Sequence, residues 1–426
     1  MIYTIGAPRV IETTVCLPAS KSISNRVLML NALVSNAGAG LPRHSLTNLS
    51  DSDDTRVLQR ALQSSDADFD IGAAGTSMRF LTAYLAQQTG RWTITGTERM
   101  KNRPIALLVD ALRTLGADIR YLEKDGFPPL LINGKNLRGG QITMNGGVSS
   151  QYISALMMIA PLLDEGLELH LEGNLISLPY LRMTTRLMEQ FGAVVEWSGQ
   201  TLKIAPQTYR SVPFTVESDW SAASYWYEIA ALARGKAQIK LLGLSENSVQ
   251  GDAKGRLLFE KLGVSTCPCG HDPQSPNGMS ATISGGQVKP SVTSPLRYDF
   301  VNEPDLAQTF VVTCCLLGVP FQFTGLQSLR IKETDRIAAL QTELRKLGYE
   351  VGTSDSTMNW SGERCPPVAN PVIATYEDHR MAMAFAPAGL LHPNIRIADP
   401  HVVTKSYPNY WQDLQQAGFT IEVLHS

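Results

Sequence analysis

Eight basic side chains stand at the start of a helical pattern or at a Pro/Gly turn beside an apolar segment: Lys21, Arg26, Arg79, Arg103, Lys332, Arg336, Arg380 and Lys405. Two carboxylates, Asp305 and Glu333, occupy the same kind of place. Cations so placed hold phosphate or carboxylate through charge-assisted hydrogen bonds, and a carboxylate or lysine among them can carry a proton. Brought together, the set suits substrates with several negative charges and a reaction that moves protons.

No one of these motifs decides the matter alone. Lys21, Ser22 and Arg26 lie on the first turns of one helix and can flank an anion at its mouth, but a capped, solvated helix start uses the same residues. The run from Gly75 to Arg79, GTSMR, matches neither the Walker A nor the dinucleotide fingerprint and reads equally as a tight turn into a helix. Arg103 stands just before a helix expected over 104–115, where Pro104 is tolerated in the first turn. Lys332 and Arg336 are i,i+4 neighbours if their turn is helical, a costly like-charge pair unless an anion lies between them. A solvated run paired with Glu333 and Asp335 is the other reading. Asp378, His379 and Arg380 precede the apolar run MAMAFAPAGLL, which must be buried, so they are expected to line a cleft. Lys405 follows a short apolar run and precedes a Pro turn. Asp305 begins a buried segment over 306–317 and is either a chemical group or a helix N-terminal carboxylate.

The elements that must position these residues recur. A helical pattern closing on Gly and followed by a β-like run appears around Gly116, Gly192, Gly263, Gly348 and Gly418, with a weaker copy lacking the Gly from Arg56. The Gly supplies the left-handed residue that ends a helix. Intervals of about 70–85 residues exceed those of a thin solenoid, so each copy is read as a small α/β module, six in all and three per domain. An ordinary α/β protein with Gly-ended helices is the alternative. Ser, Gly and Thr at several helix starts (Ser20, Gly75, Ser149) leave backbone N–H groups available to anions.

The 426 residues favour two domains, and a chain 43% hydrophobic and 18% charged is globular in balance. Lys and Arg total 37 against 39 Asp and Glu, so bulk binding to nucleic acid or an anionic membrane loses its electrostatic basis. No apolar stretch reaches membrane-spanning length, and the start MIYTIGAPRV lacks the pattern of a secretory signal, so a cytoplasmic protein is expected. Six cysteines read as reduced, partly buried thiols; Cys267, Cys269 and His271 read as a surface turn in preference to a metal site.

The runs LPASKSISNR, AAGTSMRFLTA, RMKNRPIALLVDALRTLGA, VSSQYISALMM, NEPDLA, RIKETDRIAAL, DHRMAMAFA and TKSYPNYW follow one another in an order that resembles the 5-enolpyruvylshikimate-3-phosphate synthase family over nearly the whole chain. The resemblance implies an α/β fold, a two-domain inside-out α/β barrel of six βαβαββ repeats. One domain comprises residues 1–19 and 218–426, carrying Asp305 and the KETDR and DHR motifs; the other is an inserted domain over 20–217. It implies transfer of the enolpyruvyl group of phosphoenolpyruvate to the 5-hydroxyl of shikimate 3-phosphate through a tetrahedral adduct, with no cofactor and no metal. The shikimate 3-phosphate site it implies comprises Lys21, Ser22, Arg26, Ser149, Ser150, Gln151, Ser177, Tyr180, Asp305 and Lys332. The phosphoenolpyruvate site comprises Lys21, Gly75, Arg103, Gln151, Arg336, Arg380 and Lys405, with Lys21, Asp305 and Glu333 as proton-handling groups. Partners are these small substrates, without nucleic acid or membrane, and the chain is expected to be a monomer.

Three positions depart from the family pattern: Ala73 where Asn is usual, Phe80 where Pro is common, and Ser328 where Asn is usual. They bear on substrate affinity and inhibitor response more than on the reaction. The sister transferase acting on UDP-N-acetylglucosamine often uses a loop cysteine, and none occurs here between Cys16 and Cys267. A non-catalytic anion binder is expected to have lost the carboxylates, yet Asp305 and Glu333 remain. An RNA-end-processing enzyme with related repeats is disfavoured by the absent basic excess.

Overall fold

Residues 68–134 show the building block. Strand Asp68–Asp70 leads into helix Gly75–Gln87, strand Gly90–Thr95, helix Ala106–Thr114 and the hairpin Asp118–Tyr121 with Leu130–Gly134. The first two strands are parallel, the fourth pairs antiparallel with the second, and the third lies on the outer side of the fourth. The same order recurs in the sheets containing Gly140–Asn145 and Leu296–Asp299. This is the βαβαββ unit, observed in a computed structural model that describes residues 1–36, 45–147, 149–277, 279–286 and 294–424.

Two further copies borrow a strand from the N-terminus. Ile11–Cys16 is the parallel first strand beside Ala237–Leu242, and Ile2–Gly6 lies between Ile395–Ala398 and Thr420–Leu424. A sixth copy keeps only its parallel pair, Leu46–Thr47 beside Phe214–Thr215, among the described residues. The borrowed strands explain the division of the chain: one unit comprises Met1–Ala19 with Glu217–Ser426, the other Ser20–Val216.

In each unit the first helices of three copies pack on one another. They are Lys21–Asn36, Gly75–Gln87 and Ser150–Ile159 in the first case, and Trp220–Leu232, Ala307–Leu317 and His379–Phe385 in the second. Ser150–Ile159, Ala307–Leu317 and His379–Phe385 are buried on every face, which is why they are apolar all round. The strands outside them alternate, as in Phe321–Thr324, with one face inward and one outward. The second helix of five copies ends at Gly116, Gly192, Gly263, Gly348 or Gly418, each left-handed, with φ between 81° and 105°. The copy without Gly ends its helix, Asp53–Gln63, on an extended Ser64.

Two local expectations need correction. The helix expected over 104–115 starts at Ala106, preceded by a one-turn helix Glu98–Lys101. The segment holding Cys267, Cys269 and His271 is not a turn but part of strand Val264–His271, bulged near Pro268 and paired with Met279–Gly285. As an outer strand it tolerates the proline that a central strand would not. The six cysteines are free and part of them buried, as expected: Cys314 and Cys315 are buried, Cys365 is half-buried, and Cys16, Cys267 and Cys269 are exposed. Among the described residues no helix is long and apolar enough to cross a membrane, and no group of three or more His, Cys, Asp or Glu is arranged to hold a metal.

Candidate active site

The repeat fixes where the chemical groups fall. Each copy contributes residues from the start of its inner helix and others from the start of its second helix. In the unit Ser20–Val216 the inner helices begin at Lys21, at Gly75 and, after the cap Ser149, at Ser150. Their first turns carry Ser, Gly and Thr, not carboxylates, so N–H groups and helix dipoles favour an anion there. Gln151 donates its amide to Thr76 Oγ1 at 3.1 Å, joining the starts of two of these helices. The second-helix starts add Arg103, whose guanidinium covers Gly75, and Ser177 with Tyr180 ahead of and within Leu178–Gln190. A Cβ on Gly75 would lie 2.6 Å from Arg103 Nη1, so the absence of a side chain is what lets the arginine approach. Lys21 Nζ meets Asp54 Oδ2 at 3.3 Å.

Two of the four cations of this unit, Arg26 and Arg79, are buried. Arg26 is 2% exposed and donates to Thr184 Oγ1 at 2.7 Å, Ser22 O at 2.9 Å and Ser154 Oγ at 3.2 Å. Its guanidinium lies over the rings of Phe80 and Tyr180, and burial lowers its pKa to about 10, which leaves it charged at neutral pH. Phe80, one of the family departures, is thus the floor under Arg26. Arg79 folds back on its own turn, donating to Gly75 O at 2.8 Å and resting over Tyr152. Ser150 and Ser177 are buried, and Ser177 holds the left-handed conformation at φ 55°.

In the other unit each inner helix begins behind an aspartate: Asp219, Asp305 and Asp378. Arg380 joins the three starts, with Nη1 to Asp305 O at 3.1 Å, Nη2 to Asp305 Oδ2 at 3.2 Å, Nη2 to Ser221 Oγ at 3.5 Å and its own N–H to Asp378 Oδ1 at 2.9 Å. Arg336 is the hub. Its Nε meets Asp378 Oδ2 at 2.7 Å, Nη1 meets Asp305 Oδ1 at 3.1 Å and Nη2 meets Glu333 Oε2 at 3.0 Å. Lys405 Nζ holds the other oxygen of Glu333 at 3.1 Å, and Lys332 Nζ reaches Asp305 at 3.7 Å. Burial by itself weakens Arg336's grip on its proton, but Asp378, Glu333 and Asp305 outweigh it and push the pKa up.

This corrects the helical spacing expected of Lys332 and Arg336. The helix starts only at Arg336, capped by Asp335, and Lys332 sits in irregular backbone before it. The two cations do not stack along one helix face; they share Asp305. The structure therefore gathers Asp305, Lys332, Glu333, Arg336, Arg380 and Lys405 in one unit. In the other it places Lys21, Ser149, Ser150, Gln151, Gly75 and Arg103 at helix starts. Sequence reasoning placed Asp378 at a cleft without giving it a role, and passed over Asp54, Thr76 and Ser221; Asp54 looks like an ordinary helix N-terminal acid.

A model of the family described as EPSP synthase (3-phosphoshikimate 1-carboxyvinyltransferase) matches residues 57–414. A 3-phosphoshikimate 1-carboxyvinyltransferase of Bacteroides fragilis is 55% identical over 427 residues, 99% of each chain. One of Tolumonas auensis is 36% identical, over 94% of this chain and 95% of that one. Among solved structures, an EPSP synthase from Acinetobacter baumannii matches with a TM-score of 0.75 at 20% identity, over 99% of this chain and 100% of that one. An enolpyruvyl transferase from Streptomyces tendae matches at 0.71 and 16% identity, over 99% and 98% of the two chains. These structural likenesses speak to the fold.

Proposed function

Because the chain belongs to the EPSP synthase family and transfers the enolpyruvyl group of phosphoenolpyruvate to shikimate 3-phosphate in the shikimate pathway, we propose that the two sets of helix-start residues are its substrate sites. In this reading Lys21, Ser22, Arg26, Ser149, Ser150, Gln151, Ser177, Tyr180, Asp305 and Lys332 serve shikimate 3-phosphate. Lys21, Gly75, Arg103, Gln151, Arg336, Arg380 and Lys405 serve phosphoenolpyruvate. A cytoplasmic monomer working on small molecules belongs to the same proposal.

The observation that carries it is the Arg336 hub, in which Asp305 and Glu333 are each shared by Arg336 and at least one other cation. The reaction has opposite proton demands. In the addition, the 5-oxygen bonds to C2 of phosphoenolpyruvate while its proton leaves and another joins C3. In the elimination, a C3 proton leaves as the bond to phosphate breaks. Groups that give and take protons are needed at both centres. Glu333 and Lys21 are the proton carriers, with Asp305 on the hydroxyl side. The remaining arginines and lysines hold phosphate and carboxylate and offset the charge that develops. Arg26, stacked against Tyr180 and bonded to Ser154 and Thr184, supports shikimate 3-phosphate by holding Tyr180 in place.

Incubation with both substrates, followed by phosphate release, tests the assignment of activity. Steady turnover is expected; a folded sample that is inert, or that turns over only with UDP-N-acetylglucosamine as acceptor, contradicts it. Gly75→Ala gives a more local test. The backbone of Gly75 lies outside the left-handed region, so alanine brings no backbone strain, but its methyl displaces Arg103 and crowds Arg79 Nη1, 2.9 Å away. The expected result is a KM for phosphoenolpyruvate raised about tenfold, a loss of about 1.4 kcal/mol, with a smaller change for shikimate 3-phosphate. Equal changes in both KM values contradict the placement of Arg103.

A further inference from the structure

The cationic cluster of the unit containing Arg336 is not electrically in surplus. Lys332, Arg336, Arg380 and Lys405 face Asp305, Glu333, Asp378 and a fourth carboxylate, Asp252. Asp219 adds a fifth, held by the N–H groups of Ser221 and Ala222. A cluster whose carboxylates outnumber its cations binds a multiply charged anion poorly unless one carboxylate gives up its charge.

Asp252 is the one suited to do so. The other two copies in this unit set cations around the start of the second helix: Lys332 and Arg336 in one, Lys405 in the other. In the equivalent place, just ahead of Gly255–Glu260, this copy sets Asp252, which is 5% exposed. Asp305, Glu333 and Asp378 each form ion pairs, whereas Asp252 accepts a hydrogen bond from the Ser221 hydroxyl. Ser221 Oγ in turn accepts from Arg380 Nη2, which holds Asp305. On the outer side Tyr298 donates to Glu303, which Lys254 pairs at 3.0 Å, so Lys254 is already engaged.

We propose that Asp252 regulates the charge of this cluster, taking up a proton as phosphoenolpyruvate binds and acting on the substrate through Ser221 and Arg380. The inference rests on the reading that this cluster meets phosphoenolpyruvate. Burial, and then the nearby Asp305 and Asp219, push the Asp252 carboxyl up to about 7 against the opposing pull of Arg380 and Ser221. Protonation therefore falls near neutral pH. Below that value the cluster carries one more positive charge; above it Asp252 is ionised and opposes an incoming anion. Asp252 is a positioning residue, since it touches Arg380 only through a hydroxyl.

The test is the KM for phosphoenolpyruvate across pH, for the parent chain and for Asp252→Asn, at saturating shikimate 3-phosphate. Asparagine keeps an acceptor for Ser221 but stays neutral, and the ratio of the two KM values cancels the substrate's own titration. If binding raises the Asp252 pKa by about one unit, the ratio of parent to variant grows about fivefold between about pH 6 and pH 8. A structural role alone shifts kcat and KM by the same factor at every pH. Ser221→Ala is the second variant: it removes the hydroxyl through which Asp252 reaches Arg380, so the rise in KM with pH shrinks. A ratio independent of pH, or an undiminished rise in Ser221→Ala, overturns the inference. Turnover by the parent in the same assay tests the underlying reading separately.

Discussion

Glu333→Gln leaves a folded chain that binds both substrates but turns over about 10²–10⁴ times more slowly, the range expected when a positioned proton-transfer group is lost. Glutamine fills the same space and keeps one oxygen to accept from Arg336 or Lys405, the two cations that hold the native carboxylate oxygens at 3.0 and 3.1 Å, while its NH2 cannot accept from the other. What it loses is the charge and the ability to carry a proton. The effect therefore falls on kcat, with KM for each substrate changed far less. Rapid-quench and steady-state kinetics separate the two. A variant with unchanged kcat removes Glu333 from the chemistry, and one with only a raised KM makes it a binding group.

Arg336→Ala is expected to act on stability as well as turnover. The side chain is 2% exposed and meets three carboxylates, one of which, Asp378, has no exposure at all. Removing the cation leaves buried negative charges facing one another, which costs about 3–5 kcal/mol in comparable buried pairs. Asp378 is also the cap of the helix His379–Phe385, so its displacement loosens the backbone that presents Arg380. Urea unfolding is expected to show a lower midpoint with an unchanged slope, and the folded fraction to be inactive. Arg336→Lys restores one positive charge but not three simultaneous contacts, and falls between parent and alanine variant in stability. Parent-like stability in Arg336→Ala contradicts the hub.

Much of this was legible in the sequence because local physics demands particular residues. Five helices end in a left-handed residue, a conformation that costs glycine least, and those five glycines mark five of six repeats. Helix starts with Ser, Gly or Asp beside lysines and arginines marked the chemical positions. What escaped was set by tertiary context. No local pattern says that residues 2–6 complete a sheet with residues 395–398 and 420–424, or residues 11–16 one with 237–242. A capped, solvated helix start fitted Arg26 as well as an anion site did, because charged residues rarely lie buried, yet Ser154 and Thr184 of neighbouring helices and the Ser22 carbonyl of its own satisfy it. Asp378 reads as lining a cleft but without a partner, and Asp252 carries no local signal; only the fold shows that one anchors Arg336 and the other ends a relay to Arg380. Pro268 and Gly270 read as a turn because those residues punctuate most chains, whereas an outer strand with a bulge accommodates both.

The most direct test is a crystal structure of the chain with shikimate 3-phosphate and a non-reactive phosphoenolpyruvate analogue. The account predicts anionic oxygens of the analogue within hydrogen-bond distance of Arg336, Arg380 and Lys405, and of Arg103 above Gly75. It also predicts the shikimate 3-phosphate hydroxyls at Asp305, and Glu333 beside the carbon that accepts the proton. Ligands bound elsewhere, with Arg336 still enclosed solely by Asp305, Glu333 and Asp378, would contradict it.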